Sequence, residues 1–327
     1  MQLPVSVVTI VKNRTEKLCH LIQQLEQCAP LPAELVIVWM SPPSDLSLVK
    51  SDKFDIVHKF VNIDDLPIAR ARNKGLTEAK YDALVYMNVD AICAPNFIAA
   101  GFNALTNAEV VHTQVKTIAN EHWDLSHDAV AALEKHQPAT DSSAASNSTI
   151  HSNLETPNSQ DNDHGKYSND TICSTVFFIS KTNFEKTGGF DEGYSGFGLN
   201  DEDFFTNCRT LGFSIHSLPI NTYVPSRPND KCPLNHLIDF VKNTQRFHAK
   251  WGHYPRPDIL DAYASAGYVN KNYREEGLHV LCVPDDEEPR TAAKESKPVA
   301  ALSATQLPNT GNLNSGRQRA TLLGLSR

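Results

Sequence analysis

The sequence predicts an α/β protein with a central, mainly parallel sheet flanked by helices. Short β-branched runs alternate with helix-patterned segments through the first ~115 residues, the pattern of layered α/β folds. The chain has 327 residues, enough for a large core and one or two domains. Polar residues follow the fourth strand-like run at Asn88-Val89-Asp90. In open α/β sheets, ligands bind beyond such carboxyl ends.

The elements follow in order. Residues 5–11 form a β-branched run, read as a buried strand. Leu18, Leu21, Ile22, Leu25 and Cys28 recur at helical spacing. Residues 35–39 and 56–61 read as the second and third strands. Pro67 stands where a helix begins, and residues 68–79 are good helix formers. Residues 83–87 are the fourth strand. Residues 138–170 are rich in Ser, Asn, Asp and Thr, which predicts a flexible surface insertion. Order is expected to resume with a strand at 175–179. A short helix carrying Phe204, Cys208 and Leu211 follows, then a strand at 214–218. Leu237, Phe240, Val241, Thr244 and Phe247 mark an amphipathic helix running to Trp251-Gly252. From residue 284 the Pro, Ala, Ser, Lys and Glu content predicts a disordered tail.

Composition excludes several classes. A net charge of −8 argues against a nucleic-acid protein held by bulk positive charge. The seven cysteines, at 19, 28, 93, 173, 208, 232 and 282, include no CxxC pair, which suits a reduced, cytoplasmic chain. The N-terminus has neither a signal-peptide pattern nor an apolar run near ~20 residues. The Asn-x-Ser/Thr triplets at Asn13, Asn147 and Asn169 are then chance matches. No GxGxxG follows the first strand, which makes a nucleotide-dependent oxidoreductase a poor reading.

Three constellations bear on chemistry. The first is Asn88-Val89-Asp90. A hard divalent ion takes oxygen ligands, often one or two carboxylates plus substrate phosphates, and a strand-end Asp suits it. The competing reading is a turn, which Asn and Asp both favour. The second is residues 67–75, with Arg70, Arg72 and Lys74 near a helix start, where guanidinium forks could meet a diphosphate. The alternative is a solvated basic face. Arg70 and Arg72 are two apart and do not share a face, so one of them is expected to meet a ligand. The third is residues 188–205. Five of the chain's 15 glycines fall within 188–198, and five carboxylates within 191–203. Asn200 or Asp201 could simply cap the following helix. The glycine density, with Tyr194 and Phe197 as aromatic platforms for sugar rings, favours a binding loop.

Together these segments resemble the family 2 glycosyltransferases of the GT-A fold. The resemblance is carried by residues 5–14, by Ala-Arg-Ala-Arg-Asn-Lys-Gly at 69–75 and by Asn-Val-Asp at 88–90. Gly-Gly-Phe-Asp-Glu at 188–192 and Gly-Phe-Gly-Leu-Asn-Asp-Glu-Asp at 196–203 complete the set. The second half resembles the galactosyltransferase C-terminal module, with support from residues 233–239 and from Asn243, Arg246-Phe247 and Lys250-Trp251-Gly252. The resemblance covers roughly residues 4–270. It implies a Rossmann-like nucleotide-sugar-binding half at 1–115, a variable region at 116–170, an acceptor and catalytic half of the same domain at 171–283, and the tail at 284–327.

The resemblance further implies a nucleotide-sugar donor, most simply a UDP-sugar, and a divalent cation, Mn²⁺ or Mg²⁺, whose necessity it leaves open. The reaction implied is direct displacement with inversion. Asp90 would be the metal-side acid and Asp201 the general base, with Asp203 supporting it or holding the acceptor. Thr9, Asn13, Arg14, Arg70, Arg72 and Asn88 would face the donor. Tyr194, Phe197, Gly198 and Asn200 would face a glycan or lipid-linked acceptor, with peripheral membrane contact possible in principle. Galactose is suggested only through the module. Three departures stand out. Asn88 occupies the first acid of the DxD motif, and Asn200 occupies the Glu before the base. No His occurs in residues 222–228, where Arg227 could supply charge instead, as in a metal-free enzyme. These departures also motivate the alternative of a non-catalytic sugar- or nucleotide-binding module.

Overall fold

The structure is a computed structural model that describes residues 1–43, 48–61, 67–136, 175–226 and 234–283. The expected insertion and tail lie outside these residues, as does Arg227. The strands are β1 (Gln2–Val11), β2 (Leu31–Trp39), β3 (Asp55–Phe60), β4 (Ala83–Met87), β5 (Ile92–Cys93), β6 (Val110–Ile118), β7 (Val176–Ser180) and β8 (Ile215–Pro225). The helices of the first half are α1 (Thr15–Glu26), α2 (Ile68–Glu78), α3 (Phe97–Ala104) and α4 (His127–His136). Those of the second half are α5 (Lys181–Thr187), α6 (Asn200–Thr210), α7 (Leu237–Trp251), α8 (Pro257–Ser265) and α9 (Tyr273–Glu276).

All these strands join one mixed sheet, ordered β3-β2-β1-β4-β7-β6-β8-β5. The pairs β1–β2, β2–β3, β1–β4 and β6–β8 are parallel. β7, from the second half of the chain, runs antiparallel to β4 on one side and to β6 on the other. The two halves therefore share one sheet.

Successive strand residues point to opposite faces, and here both faces are covered, so the apolar runs are unbroken. Val5, Val7, Leu35, Ile37, Val85 and Phe178 join one core with α1 and α3. Val8, Val36, Val38, Leu84, Tyr86 and Phe177 join the other with α2, α5 and α6. Helix α1 turns Leu18, Leu21, Ile22 and Leu25 inward, the face its spacing predicts. Gly75 lets α2 lie close on the sheet, since a Cβ there would come within 2.4 Å of Val8 Cγ1. A third core, with Phe240, Phe247, Leu260, Tyr263 and Tyr273, joins α7, α8 and α9 beneath the glycine-rich loop. The carboxyl ends of β1 and β4 lie side by side, and the site is built on that edge.

Candidate active site

The chain leaves β1 through Asn13, whose φ of 54° is left-handed, and reaches Arg14 just before α1. Asn13 Oδ1 accepts a hydrogen bond from Ser41 at 3.2 Å. From the neighbouring strand, Asn88 carbonyl accepts from Ala91 N–H at 2.9 Å. The predicted turn therefore forms, and it carries Asp90 into the protein with its side chain only 4% exposed. Asp90 Oδ2 is ion-paired with Arg14 Nη1 and stands 3.7 Å from Lys17 Nζ. Lys17 also lies 5.6 Å over the Trp123 ring. Thr9 corrects the expectation of a donor contact: it is wholly buried inside β1, because both sheet faces are covered there.

Helix α2 divides its two arginines as their spacing requires. Arg70 points outward and pairs with Glu192 at 2.8 Å. Asn73 donates to Phe190 carbonyl at 2.9 Å and to Glu192 Oε1 at 3.0 Å. Asn73 and Arg70 together hold the Glu192 carboxyl below its usual range. Arg72 is buried, with its guanidinium 4.6 Å over Tyr86 and 5.0 Å over Phe190, and donates to Asp201 Oδ1. Burial alone would lower its pKa, but Asp201 and Tyr86 outweigh that and raise it. Arg72 thus meets the expected base, where a diphosphate contact had been expected. Tyr86 is pushed up first by its own burial, and the charges of Asp201 and Asp90 add to that push.

The loop before α6 is shaped from below by α7. Asn243 Nδ2 donates to the carbonyls of Ser195, Phe197 and Gly198 at 2.9, 2.9 and 3.1 Å. Its Oδ1 accepts from Ser195 N–H at 3.3 Å. Gly196 needs its lack of a side chain: φ is +65°, and a Cβ would stand 2.1 Å from Asp239 Oδ2. Phe197 stacks on His236 with ring centroids 4.7 Å apart, and Gly198 follows at φ +94°. Tyr194 departs from its expected role as a sugar platform. It is buried, and its hydroxyl donates to Asp203 at 3.1 Å, so it supports the loop from beneath.

Neither Asn200 nor Asp201 caps α6. The cap position is Leu199, at φ 66°, and no side chain bonds there. Asn200 is buried in the first helical position. Asp201, Glu202 and Asp203 therefore fill the first turn, near the positive end of the helix. Asp203 is 3% exposed and held by three donors: Lys250 Nζ donates to Oδ2 at 2.9 Å, and Trp251 Nε1 at 2.7 Å and Tyr194 at 3.1 Å donate to Oδ1. These bonds tie α6 to α7 and to the loop. Burial, then neighbouring Asp201, pushes Glu202 up to about 7. Asp201 is 28% exposed, and its Oδ1 accepts from Arg72. Of the expected catalytic pair, Asp201 is the more exposed, at 28% against 3%.

Lys17, Asn73, Asn243 and Lys250 were not assigned roles from the sequence. Asn243, Arg246 and Lys250 repeat at three and four residues, so one face of α7 meets the loop; that spacing was the available signal. Arg246 grips Asp191 through both carboxylate oxygens, at 2.8 and 3.0 Å from Nη2.

The residues do not fit the implied divalent ion. Asp90 has its outer oxygen committed to Arg14 with Lys17 alongside, and Asn88 offers a neutral amide where a second acid would stand. No group of three or more His, Cys, Asp or Glu among the described residues could hold a metal.

A family model described as glycosyl transferase family 2 matches residues 6–187. A second, described as the N-terminal domain of galactosyltransferase, matches residues 158–226. Among solved structures, S. aureus TarS 1–349 is similar with a TM-score of 0.51 at 13% identity, covering 84% of this chain and 75% of that one. A longer S. aureus TarS structure gives 0.50 at 13%, over 81% and 45%. The catalytic domain of Drosophila β1,4-galactosyltransferase 7, in complex with xylobiose, gives 0.37 at 14%, over 65% and 63%. No curated protein matches the chain. The fold shared with TarS is GT-A.

Proposed function

The chain belongs to glycosyl transferase family 2, and on that premise we propose that it moves a sugar from a nucleoside diphosphate donor, most simply a UDP-sugar, to a hydroxyl of a glycan or lipid-linked acceptor, with inversion. The observation that carries this is Asp201. It stands on the first turn of α6, 28% exposed, with Oδ1 held by the buried Arg72.

In this reading the donor lies over the carboxyl edge of β1 and β4, against Asn13, Arg14 and Asn88, with Arg70 at its rim. The acceptor lies over Phe197, Gly198 and the start of α6. Asp201 Oδ2 takes the acceptor hydroxyl's proton as its oxygen bonds to the anomeric carbon and the diphosphate leaves from the opposite face. A positioned base of this kind contributes roughly 10²–10⁴-fold to rate. Arg72, stacked on Tyr86 and Phe190, keeps the carboxylate aimed. Galactose as the transferred sugar is supported by the galactosyltransferase match alone. Contact with a membrane surface would be peripheral for the described residues, since no helix among them is long and apolar enough to cross one.

Asp201→Asn tests the assignment. Transfer, measured over a panel of UDP-sugars and acceptors, is expected to fall by roughly 10²–10⁴-fold. Donor binding, followed as a ligand-induced rise in Tm, is expected to stay near the parent value. Near-normal turnover in the variant would sink the base assignment. Donor binding by the parent without transfer or hydrolysis on any acceptor would favour a non-catalytic binding module instead.

A further inference from the structure

We propose that the positive charge facing the departing diphosphate is built into the chain as Arg14 and Lys17, with Asp90 as their shared counter-ion, so that the nucleoside diphosphate binds without a divalent ion. This rests on the glycosyl-transfer reading and specifies how its donor site is charged.

Three observations carry it. Asp90 Oδ2 is ion-paired with Arg14 and lies 3.7 Å from Lys17. A divalent ion placed there would approach two fixed cations. Second, the charges balance without one. An ion on a single carboxylate, with neutral Asn88 beside it, would present a net charge of about +1 to the phosphates. Arg14 and Lys17 set against Asp90 present the same +1 from the chain itself. Third, both cations are held yet reachable. Lys17 is fixed between Asp90 and the Trp123 ring, and its side chain is 23% exposed; Arg14 is 40% exposed. They sit at the start of α1, where the positive end of the helix adds to the field. Asp90 is then a holder of cations, and its burial stops it from repelling the phosphates directly. A guanidinium and an ammonium can hold phosphate oxygens in the ground state and as the leaving group gains charge.

The test measures binding of UDP, GDP, ADP and CDP to the full chain by calorimetry, first in EDTA and then in Mn²⁺. At least one is expected to bind in EDTA with a Kd within about threefold of its value in Mn²⁺. Arg14→Gln and Lys17→Gln are each expected to weaken that binding by about tenfold while the parent nucleoside, lacking phosphates, binds as before. Arg14→Lys, which keeps the charge, is expected to retain most of the affinity, and the Tm of each variant reports on folding. Binding that is absent in EDTA, restored by Mn²⁺ and lost in Asp90→Asn would overturn the inference and leave the glycosyl-transfer reading standing. Unchanged affinity in both glutamine variants would overturn it as well. Failure of all four nucleotides to bind in either buffer would defeat the inference together with the reading beneath it.

Discussion

Beside Asp201, the neighbouring carboxylate of Glu202 is raised by its surroundings. Arg72 sits against Asp201, while Glu202, its side chain 21% exposed, has Arg256 at 3.8 Å. Burial and the Asp201 charge push Glu202 up to about 7, from an ordinary 4.5. The folded protein then holds this proton more tightly than the unfolded chain does. The resulting stability is full below about pH 4.5 and is lost as pH rises through about 7. Glu202→Gln cannot ionise and escapes that loss. The variant is expected to match the parent near pH 4 and to exceed it by about 3 kcal/mol near pH 8. Urea unfolding at the two pH values measures this, and an equal difference at both would refute it. The remaining loop acids are committed to structure: Asp191 to Arg246, Glu192 to Arg70 and Asn73, and Asp203 to Lys250, Trp251 and Tyr194. A cluster that reads as five candidate acids resolves to one open carboxylate and one raised one.

At the scale of elements, the loop is held by two helices from opposite ends of the sequence. Helix α2 grips its start through Asn73, which also accepts from Phe190 N–H at 2.8 Å, and α7 grips its middle through Asn243. Asn243 is buried and fully bonded, so Asn243→Ala strands several carbonyls at once. It is expected to cost about 2 kcal/mol of stability and to raise the acceptor KM while donor affinity stays unchanged. Calorimetry with the donor nucleotide and steady-state kinetics separate the two effects, and a shift confined to the donor side would count against the loop's acceptor role. Among the elements that sequence reading does not mark are β6 and α5. β6 is buried on only part of its length, with polar residues interleaved, and α5 spans seven residues, too few for a period to show. The strands with both faces covered were plain, because burial on both sides demands an unbroken apolar run.

For the molecule as a whole, the decisive feature is that β7 enters the sheet between β4 and β6. That step draws the second half of the chain over the carboxyl edge of the first and sets α6 against α2. The joint is aromatic. Phe204 of α6 stacks on Phe190 at 4.2 Å and packs against Phe177 of β7 at 5.7 Å, with no exposure to solvent. Phe204→Ala is expected to cost about 3–5 kcal/mol and, by loosening α6, to lower kcat beyond what the remaining folded fraction explains. Thermal unfolding alongside active-site titration checks this; full kcat per folded molecule would show that the joint carries stability alone.

The order of apolar runs and the polar residues that end them were enough to expect an α/β sheet, a strand-end Asp90 and an acidic loop opening a helix. These are local signals, set by side-chain periodicity and by glycine's backbone freedom. Which charges meet was settled only in three dimensions. Arg72 and Asp201 are 129 residues apart, and Arg14 and Asp90 are 76 apart. The sheet brings α6 beside Arg72, expected to face the donor, and parallel pairing of β1 with β4 sets Arg14 and Lys17 against Asp90, expected to face a metal. Composition and spacing carry no term for contacts between distant segments. The sheet order creates those contacts, and through them selects which of several similar acids remains open for chemistry.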